Sequence, residues 1–454
     1  MADKNESITL EIESLSNDGN GVGRLNGMAV FVPYSAPGDR LDVKLVKLAK
    51  THAFGRIERI LAPGPGRVEP DCPVFGRCGG CDLSHLDYAA QCDAKRRFVR
   101  DALTRLGGLE LEVRETAPSP QTARYRNKVQ YPVTSGPDGG LLFGYYAKRS
   151  HRVVPCADCL LQPQILNRIA ARCCALLAAR GLTAYDEAAH AGLVRHLLLR
   201  RSGKTGEVLV CVVLHGAGFP GEREFARDLA AEFPEIGSIV VNVNTARGNA
   251  ILGKRFNTIL GTGVLEDEMC GVPVRISPPS FFQINTPAAE QLYDLVAALA
   301  DPHPSDILLD LYCGAGTIGL SVARRFSLRK LIGVEIVPGA VEDARCNAAA
   351  LGLDNCEFLL ADAGKAAAQL AARGEQIDIA VVDPPRKGCD PATIDALAVI
   401  EPRRIVMVSC NPATLARDLK ALAALGYRPG AVTPVDLFPN TAHVESVCLL
   451  TRSK

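Results

Sequence analysis

The chain has almost no net charge: 51 Lys and Arg stand against 50 Asp and Glu over 454 residues, a formal balance of +1. Bulk electrostatics therefore predicts no polyanionic partner, and any nucleic-acid binding must come from local patches. Long apolar runs are also missing. No stretch approaches the roughly 18 to 20 residues that a membrane-crossing helix needs. The first residues, MADKNESITLEIESL, are acidic and lack the apolar core of a signal peptide, so the expected address is the cytoplasm. No internal repeat or low-complexity tail is present. Without an export signal, the 16 cysteines are expected to be thiols or metal ligands, not disulfides.

What is present is a globular composition, 47% hydrophobic and 22% charged, in a chain too long for one core. Three regions can be separated. Residues 1–67 alternate in SITLEIESL, are rich in turn glycines in SNDGNGVGRLNG, and continue with short strands, a pattern that predicts a small barrel of the oligonucleotide-binding kind. The Pro/Gly-rich APGPGRVEPDCP marks a break near Arg67. Residues 68–275 mix strands such as EVLVCVVL with helices such as QILNRIAARCCALLAARG, predicting an α+β domain. From 276 to 454, strands alternate with helices, the rhythm of a doubly wound, Rossmann-like α/β sheet whose ligands sit at the carboxyl ends of its strands.

Two stretches of that last region carry chemistry. DLYCGAGTIGL places Gly314, Gly316 and Gly319 in G-x-G-x-x-G spacing after a strand. This spacing suits S-adenosylmethionine, a dinucleotide, or a purely structural turn. The leading Asp310, Tyr312 and the later VVDPPRKG favour the first, and Glu335, ending the next strand, is placed for a ribose diol. RIVMVSCNPATLARDL puts Cys410 where an apolar strand stops and an Asn-Pro helix start begins. A helix N-terminus beside a thiol favours thiolate.

Cys72, Cys78 and Cys81 form C-x5-C-x2-C, with glycines that let the chain wrap tightly. Three such thiols ask for a metal, zinc or iron-sulfur, with a fourth ligand from Cys156 or Cys159 in VVPCADCLLQP. Basic residues collect in AKRRFVR, RYRNKVQYP and HLLLRRSGK, local patches that suit RNA phosphates.

Taken in order, SPPSFFQIN, DLYCGAGTIGL, DPPRKG, SCNPATLARD and HVESVCLL resemble the RNA uracil-5 methyltransferases over nearly the whole chain. The N-terminal segment resembles their TRAM domain, and the cysteine group resembles the iron-sulfur ligands of the ribosomal-RNA branch. The resemblance implies a class I methyltransferase fold for 276–454 and methylation of carbon 5 of a uridine in 23S rRNA by a monomer. It further implies Cys410 as nucleophile at carbon 6 and Glu445 as the base that removes the carbon-5 proton. Cofactor contacts are implied for Gln283, Tyr312, Glu335, Asp362 and Asp383, and a [4Fe-4S] cluster on Cys72, Cys78, Cys81 and Cys159. A related branch has Asn where this chain has Thr317. Cys389 stands second to Cys410 as nucleophile, and Cys313 is expected to pack beside the cofactor. Alternatives are a transfer-RNA uridine enzyme, whose branch typically lacks the TRAM domain and cluster, a cytosine carbon-5 enzyme, and a non-catalytic RNA-binding assembly factor. The cytosine enzymes' double-cysteine pattern is absent, and Arg386 replaces the Tyr of an amine methylase's Asp-Pro-Pro-Tyr.

Overall fold

The computed structural model describes residues 4–452. Its packing divides into two compact units, one of residues 4–122, 385–389 and 408–452, the other of 123–384 and 390–407.

In the first unit, alternation of apolar and polar residues builds a six-stranded sheet, Ser7–Glu11 next to Arg40–Leu48, then His52–Ala62, Met28–Pro33, Asn20–Leu25 and Ser14–Leu15. Its inward residues, among them Leu10, Val30, Val32, Leu41 and Val43, form one apolar cluster. The expected small N-terminal β-domain is thus present. The Pro/Gly break after it is pinned by a buried carboxylate: Asp39 accepts from the N–H groups of Ala36 (2.6 Å) and Gly64 (2.8 Å) and from the Arg67 guanidinium (2.6 Å).

The sequence groups residues 68–122 with the central domain, yet they pack in the same unit as the C-terminal hairpin Tyr427–Val435 and Glu445–Arg452. The reason lies in helix Tyr88–Ala102, capped by the Asp87 side chain. Its Lys95 is fully enclosed and can keep its charge only beside a counter-ion. That partner is Asp436 at 2.5 Å, just beyond the hairpin's first strand, and Lys95 also donates to the Phe438 carbonyl at 3.0 Å. Single bridges Val113 to Val432 and Ala117 to Val435 continue the attachment.

The second unit holds two large sheets and a separate hairpin, Leu265–Met269 with Val272–Ile276. The first has seven strands in the order Arg255–Leu260, Ile236–Val243, Val208–Leu214, Val194–Arg201, Lys128–Ser135, Leu141–Tyr146 and Val153–Pro155. Helices Gln164–Ala178 and Glu222–Glu232 contribute Leu166, Ile169, Phe225 and Leu229 to its core. The second is parallel, in the order Cys356–Leu360, Lys330–Glu335, Ile307–Leu311, Ile379–Val382 and Arg404–Ser409. Strand order reverses beside Ile307–Leu311, so the crevice for a ligand opens past Leu311 and Val382. The doubly wound expectation therefore holds. Among the described residues, no helix is long and apolar enough to cross a membrane.

Candidate cofactor cleft and nucleophile

The glycine turn after Ile307–Leu311 is shaped by two constraints. Gly316 takes a φ of +77° at the start of helix Thr317–Arg325, a conformation that side chains with a Cβ rarely adopt. A Cβ on Gly319 would lie 2.8 Å from Asp310 Oδ2 and from Leu331, so glycine is what lets helix and sheet approach. Asp310 uses that closeness: its Oδ2 accepts from the Gly319 N–H at 2.8 Å. Its Oδ1 is buried without a partner among the described residues. Burial raises this carboxyl to about 7.

Past the turn lies a cavity whose lining includes Phe281, Gln283, Tyr293, Tyr312, Gly314 and Asp383. Three of the five residues expected to contact cofactor, Gln283, Tyr312 and Asp383, are thus brought together. Tyr312 sits at a φ of +63° and its hydroxyl lies 2.8 Å from Thr393 Oγ1. Glu335 is held from three sides, accepting from Gly314 N–H at 3.1 Å and from Ile336 and Val337 N–H at 2.8 Å each. That clamps its carboxylate against the glycine turn. Asp362 is the N-cap of helix Ala363–Ala372, accepting from Gly364 N–H, and is not among the residues lining the cavity. Burial raises Asp383 to about 6.

Sequence reading passed over Tyr293 and Thr393. Tyr293 lines the cavity and its hydroxyl lies 3.1 Å from Thr317 Oγ1, which is where the Asn-to-Thr departure leads. Thr393 braces Tyr312 across 81 positions of sequence. Neither carries a local signal, because each is an ordinary helix residue until the fold places it. Asp383, the acid of the cavity lining, fits a ligand that brings positive charge, as the sulfonium and ammonium of S-adenosylmethionine would.

In the first unit, Cys410 follows strand Arg404–Ser409 and precedes helix Pro412–Ala424, capped by Asn411 through the Ala413 N–H at 3.0 Å. The neighbouring 385–389 loop is tied to this helix. Asn411 Nδ2 donates to the Arg386 carbonyl (3.2 Å), Arg417 donates to those of Lys387 and Cys389, and Asp418 accepts from the Cys389 N–H. Cys410 is partly exposed, whereas Cys389 and Cys313 are buried, and burial pushes the Cys313 thiol well up. Glu445 begins the last strand opposite Val435 and is 6% exposed.

Cys72, Cys78 and Cys81 lie on a loop whose Gly80 N–H donates to Cys78 Sγ at 3.3 Å. The Cys159 thiol is lowered to about 6, chiefly by a hydrogen bond with Cys156. Among the described residues, no group of three or more His, Cys, Asp or Glu side chains is gathered closely enough to hold a metal ion.

The family model described as tRNA (Uracil-5-)-methyltransferase matches residues 271–453, and the TRAM domain model matches residues 3–57. A protein of Halalkalibacterium halodurans named uncharacterized RNA methyltransferase is 40% identical over 448 residues, 98% of this chain and 97% of the relative. One of Gloeobacter violaceus bearing the same description is 42% identical, covering 99% and 97%. Among solved structures, the tRNA (uracil-54, C5)-methyltransferase of Pyrococcus abyssi in complex with S-adenosyl-L-homocysteine matches with a TM-score of 0.78. Its identity is 30%, and the match covers 98% of this chain and 99% of that one. With relatives of this similarity along its entire length, and with its glycine turn, Asp-Pro-Pro loop and Cys-Asn-Pro turn built as described, this chain belongs to the RNA uracil-5 methyltransferase family.

Proposed function

We propose that this protein methylates carbon 5 of a uridine in 23S rRNA, with S-adenosylmethionine as methyl donor. The observation that carries the reading is Cys410, a partly exposed thiol between the end of a parallel strand and a capped helix start, in a chain whose other cysteines near the sheet's carboxyl edge are buried. Carbon 5 of uracil is a poor nucleophile by itself. Cys410 thiolate adds to carbon 6, and the resulting enolate is electron-rich at carbon 5. S-adenosylmethionine, when bound, supplies an electrophilic methyl group. Glu445 then takes the carbon-5 proton, and the Cys410 sulfur leaves as the double bond re-forms. On this reading Gln283, Tyr312, Glu335 and Asp383 hold the donor, with Asp362 contributing from the next loop. The cytoplasm is the expected site of action, and the chain acts as a monomer.

We also infer a [4Fe-4S] cluster on Cys72, Cys78, Cys81 and Cys159, with residues 1–67 as the TRAM barrel, 68–275 as the RNA-binding region and 276–454 as the catalytic domain. Support for the cluster comes from donor chemistry, four thiols in one chain, and not from a gathered ligand set. No step of the reaction runs through it.

A second reading, transfer RNA as substrate, is favoured by one observation. The Pyrococcus abyssi tRNA enzyme matches this chain along 98% of its length, so possession of the N-terminal barrel does not separate the two substrate classes. Incubation with S-adenosylmethionine and 5-fluorouridine-substituted ribosomal or transfer RNA decides between them, because fluorine blocks the final proton removal. A covalent adduct on Cys410 with ribosomal RNA supports the proposal, and an adduct with transfer RNA alone replaces the substrate. No adduct with either, with donor bound, removes Cys410 as nucleophile.

A further inference from the structure

In the second unit, strands Lys128–Ser135 and Val194–Arg201 run antiparallel with Lys128 directly opposite Arg200. Alternation turns Val129 and Leu199 into the core and leaves Lys128 and Arg200 together on the other face. Like charges directly opposite each other across a ladder repel, and burial sharpens that repulsion. Here burial is severe. Arg200 is 2% exposed, and Lys128 is half-buried.

Arg200 has a structural use. Its Nη2 donates to the carbonyls of Pro278 and Ser280, though its Nε is buried without a partner among the described residues. Lys128 has no such use, for its ammonium makes no hydrogen bond or ion pair among the described residues. Among the described residues no carboxylate pairs with either group. The charge acting on Lys128 is that of Arg200. Burial and Arg200 together pull the Lys128 ammonium down to about 8.

Two cations held side by side without a counter-ion await an anion. Their surroundings indicate which. Asn127, next to Lys128, donates to the Gln283 carbonyl (2.8 Å), and its own N–H donates to that of Ile284 (2.9 Å), so the pair is fixed to the segment that walls the cofactor cavity. Phe281, beside the Ser280 that Arg200 holds, is 80% exposed, an open ring face on which a base can stack. Neither cation lines the cavity, whose charged lining is the acid Asp383.

We propose that Lys128, braced by Arg200, seats a backbone phosphate of the substrate RNA at the mouth of the cofactor cavity, with Phe281 beside it for the adjoining base. The proposal rests on the RNA-methyltransferase reading for its ligand. The seat has a chemistry of its own, and its test does not require turnover.

The test uses the full-length protein, Lys128→Gln and Lys128→Arg variants, and a short labelled oligouridylate titrated at salt concentrations between about 50 and 200 mM. Lys128→Gln should flatten the dependence of log affinity on log salt by about 0.7, the loss of one single-strand phosphate contact. Lys128→Arg should restore it. Without RNA, Lys128→Gln should melt at a higher temperature than wild type, because an uncompensated charge has gone. Affinity for S-adenosylhomocysteine should stay unchanged. An unchanged salt slope overturns the proposal, as does a lower melting temperature. A fall in S-adenosylhomocysteine affinity overturns it too, assigning the cations to the cofactor's carboxylate. Should wild type transfer no methyl group while the slope still flattens, the methyltransferase reading fails and the phosphate seat stands.

Discussion

Replacing Lys95 by Met removes a charge that the first unit encloses completely: the side chains of Lys95 and Asp436 are both 0% exposed. Met keeps the length of the stem, so the helix face loses little packing. What remains is the Asp436 carboxylate, with a single donor, the Phe438 N–H at 3.0 Å, and an Oδ2 that is buried without a partner among the described residues. Breaking a buried pair in this way costs about 3–5 kcal/mol, against only about 1 kcal/mol for a typical exposed pair. For a cooperative unit of this size that corresponds to a drop in melting temperature of roughly 6 to 20 °C. The double variant Lys95→Met, Asp436→Leu carries no stranded charge. Its cost should shrink to about 1–2 kcal/mol, mostly the orphaned Phe438 N–H. Urea titrations of wild type, the two single variants and the double, followed by circular dichroism, close the cycle. Since removing either partner alone strands the other, the coupling should be at least about 4 kcal/mol. If Lys95→Met loses less than about 1 kcal/mol, or the double variant is as unstable as the single, the pair does not govern attachment of residues 68–122 to the hairpin. The effect should reach catalysis as well, because the loop after Asp436 leads directly into Glu445.

Glu445→Gln should stall the reaction after methyl transfer, accumulating a covalent adduct on unmodified RNA and lowering kcat by about 10²–10⁴; denaturing electrophoresis reads the adduct, and free turnover would refute the base assignment. Burial raises Asp383 to about 6 and Asp310 to about 7, so the folded chain retains protons that the unfolded chain has released above pH 4. Stability without ligand should therefore fall as pH rises from about 4 to 7, while S-adenosylhomocysteine, whose ammonium favours the ionised carboxylates, should bind more tightly over the same range. Calorimetry at several pH values checks this, and Asp383→Asn should flatten the affinity profile. Asp39→Ala strands the Arg67 guanidinium and two backbone N–H groups, at a cost of about 3–5 kcal/mol in thermal unfolding. Although burial raises the Asp39 carboxyl, its hydrogen bonds with Arg67, Ala36 and Gly64 outweigh that and hold it below the usual carboxylate value. This contribution should be present at neutral pH and lost as pH falls below the usual carboxylate range.

Much of the architecture was legible because it depends on short-range order. Alternation in SITLE and RLDVKLVKL, the strand-and-helix rhythm after residue 276, and the Asn-Pro after Cys410 each state a local preference that packing reinforces. G-x-G-x-x-G was legible for the same reason, since a positive φ at Gly316 and a close approach at Gly319 admit little else. Contacts between residues far apart in sequence were not. Lys95 looks like one of several cations in AKRRFVR, and only its burial against Asp436, 341 positions away, sets it apart and ties 68–122 to the C-terminal hairpin. In the same way RYRNKVQYP and HLLLRRSGK read as two separate basic runs suited to RNA phosphates, with nothing to join them. Strand register is what sets Lys128 opposite Arg200. The sequence by itself determined which residue types were available for chemistry and where local backbone geometry would present them. Tertiary structure alone decided which charges lost their water, because desolvation depends on what the rest of the chain packs around a group and not on its neighbours in sequence.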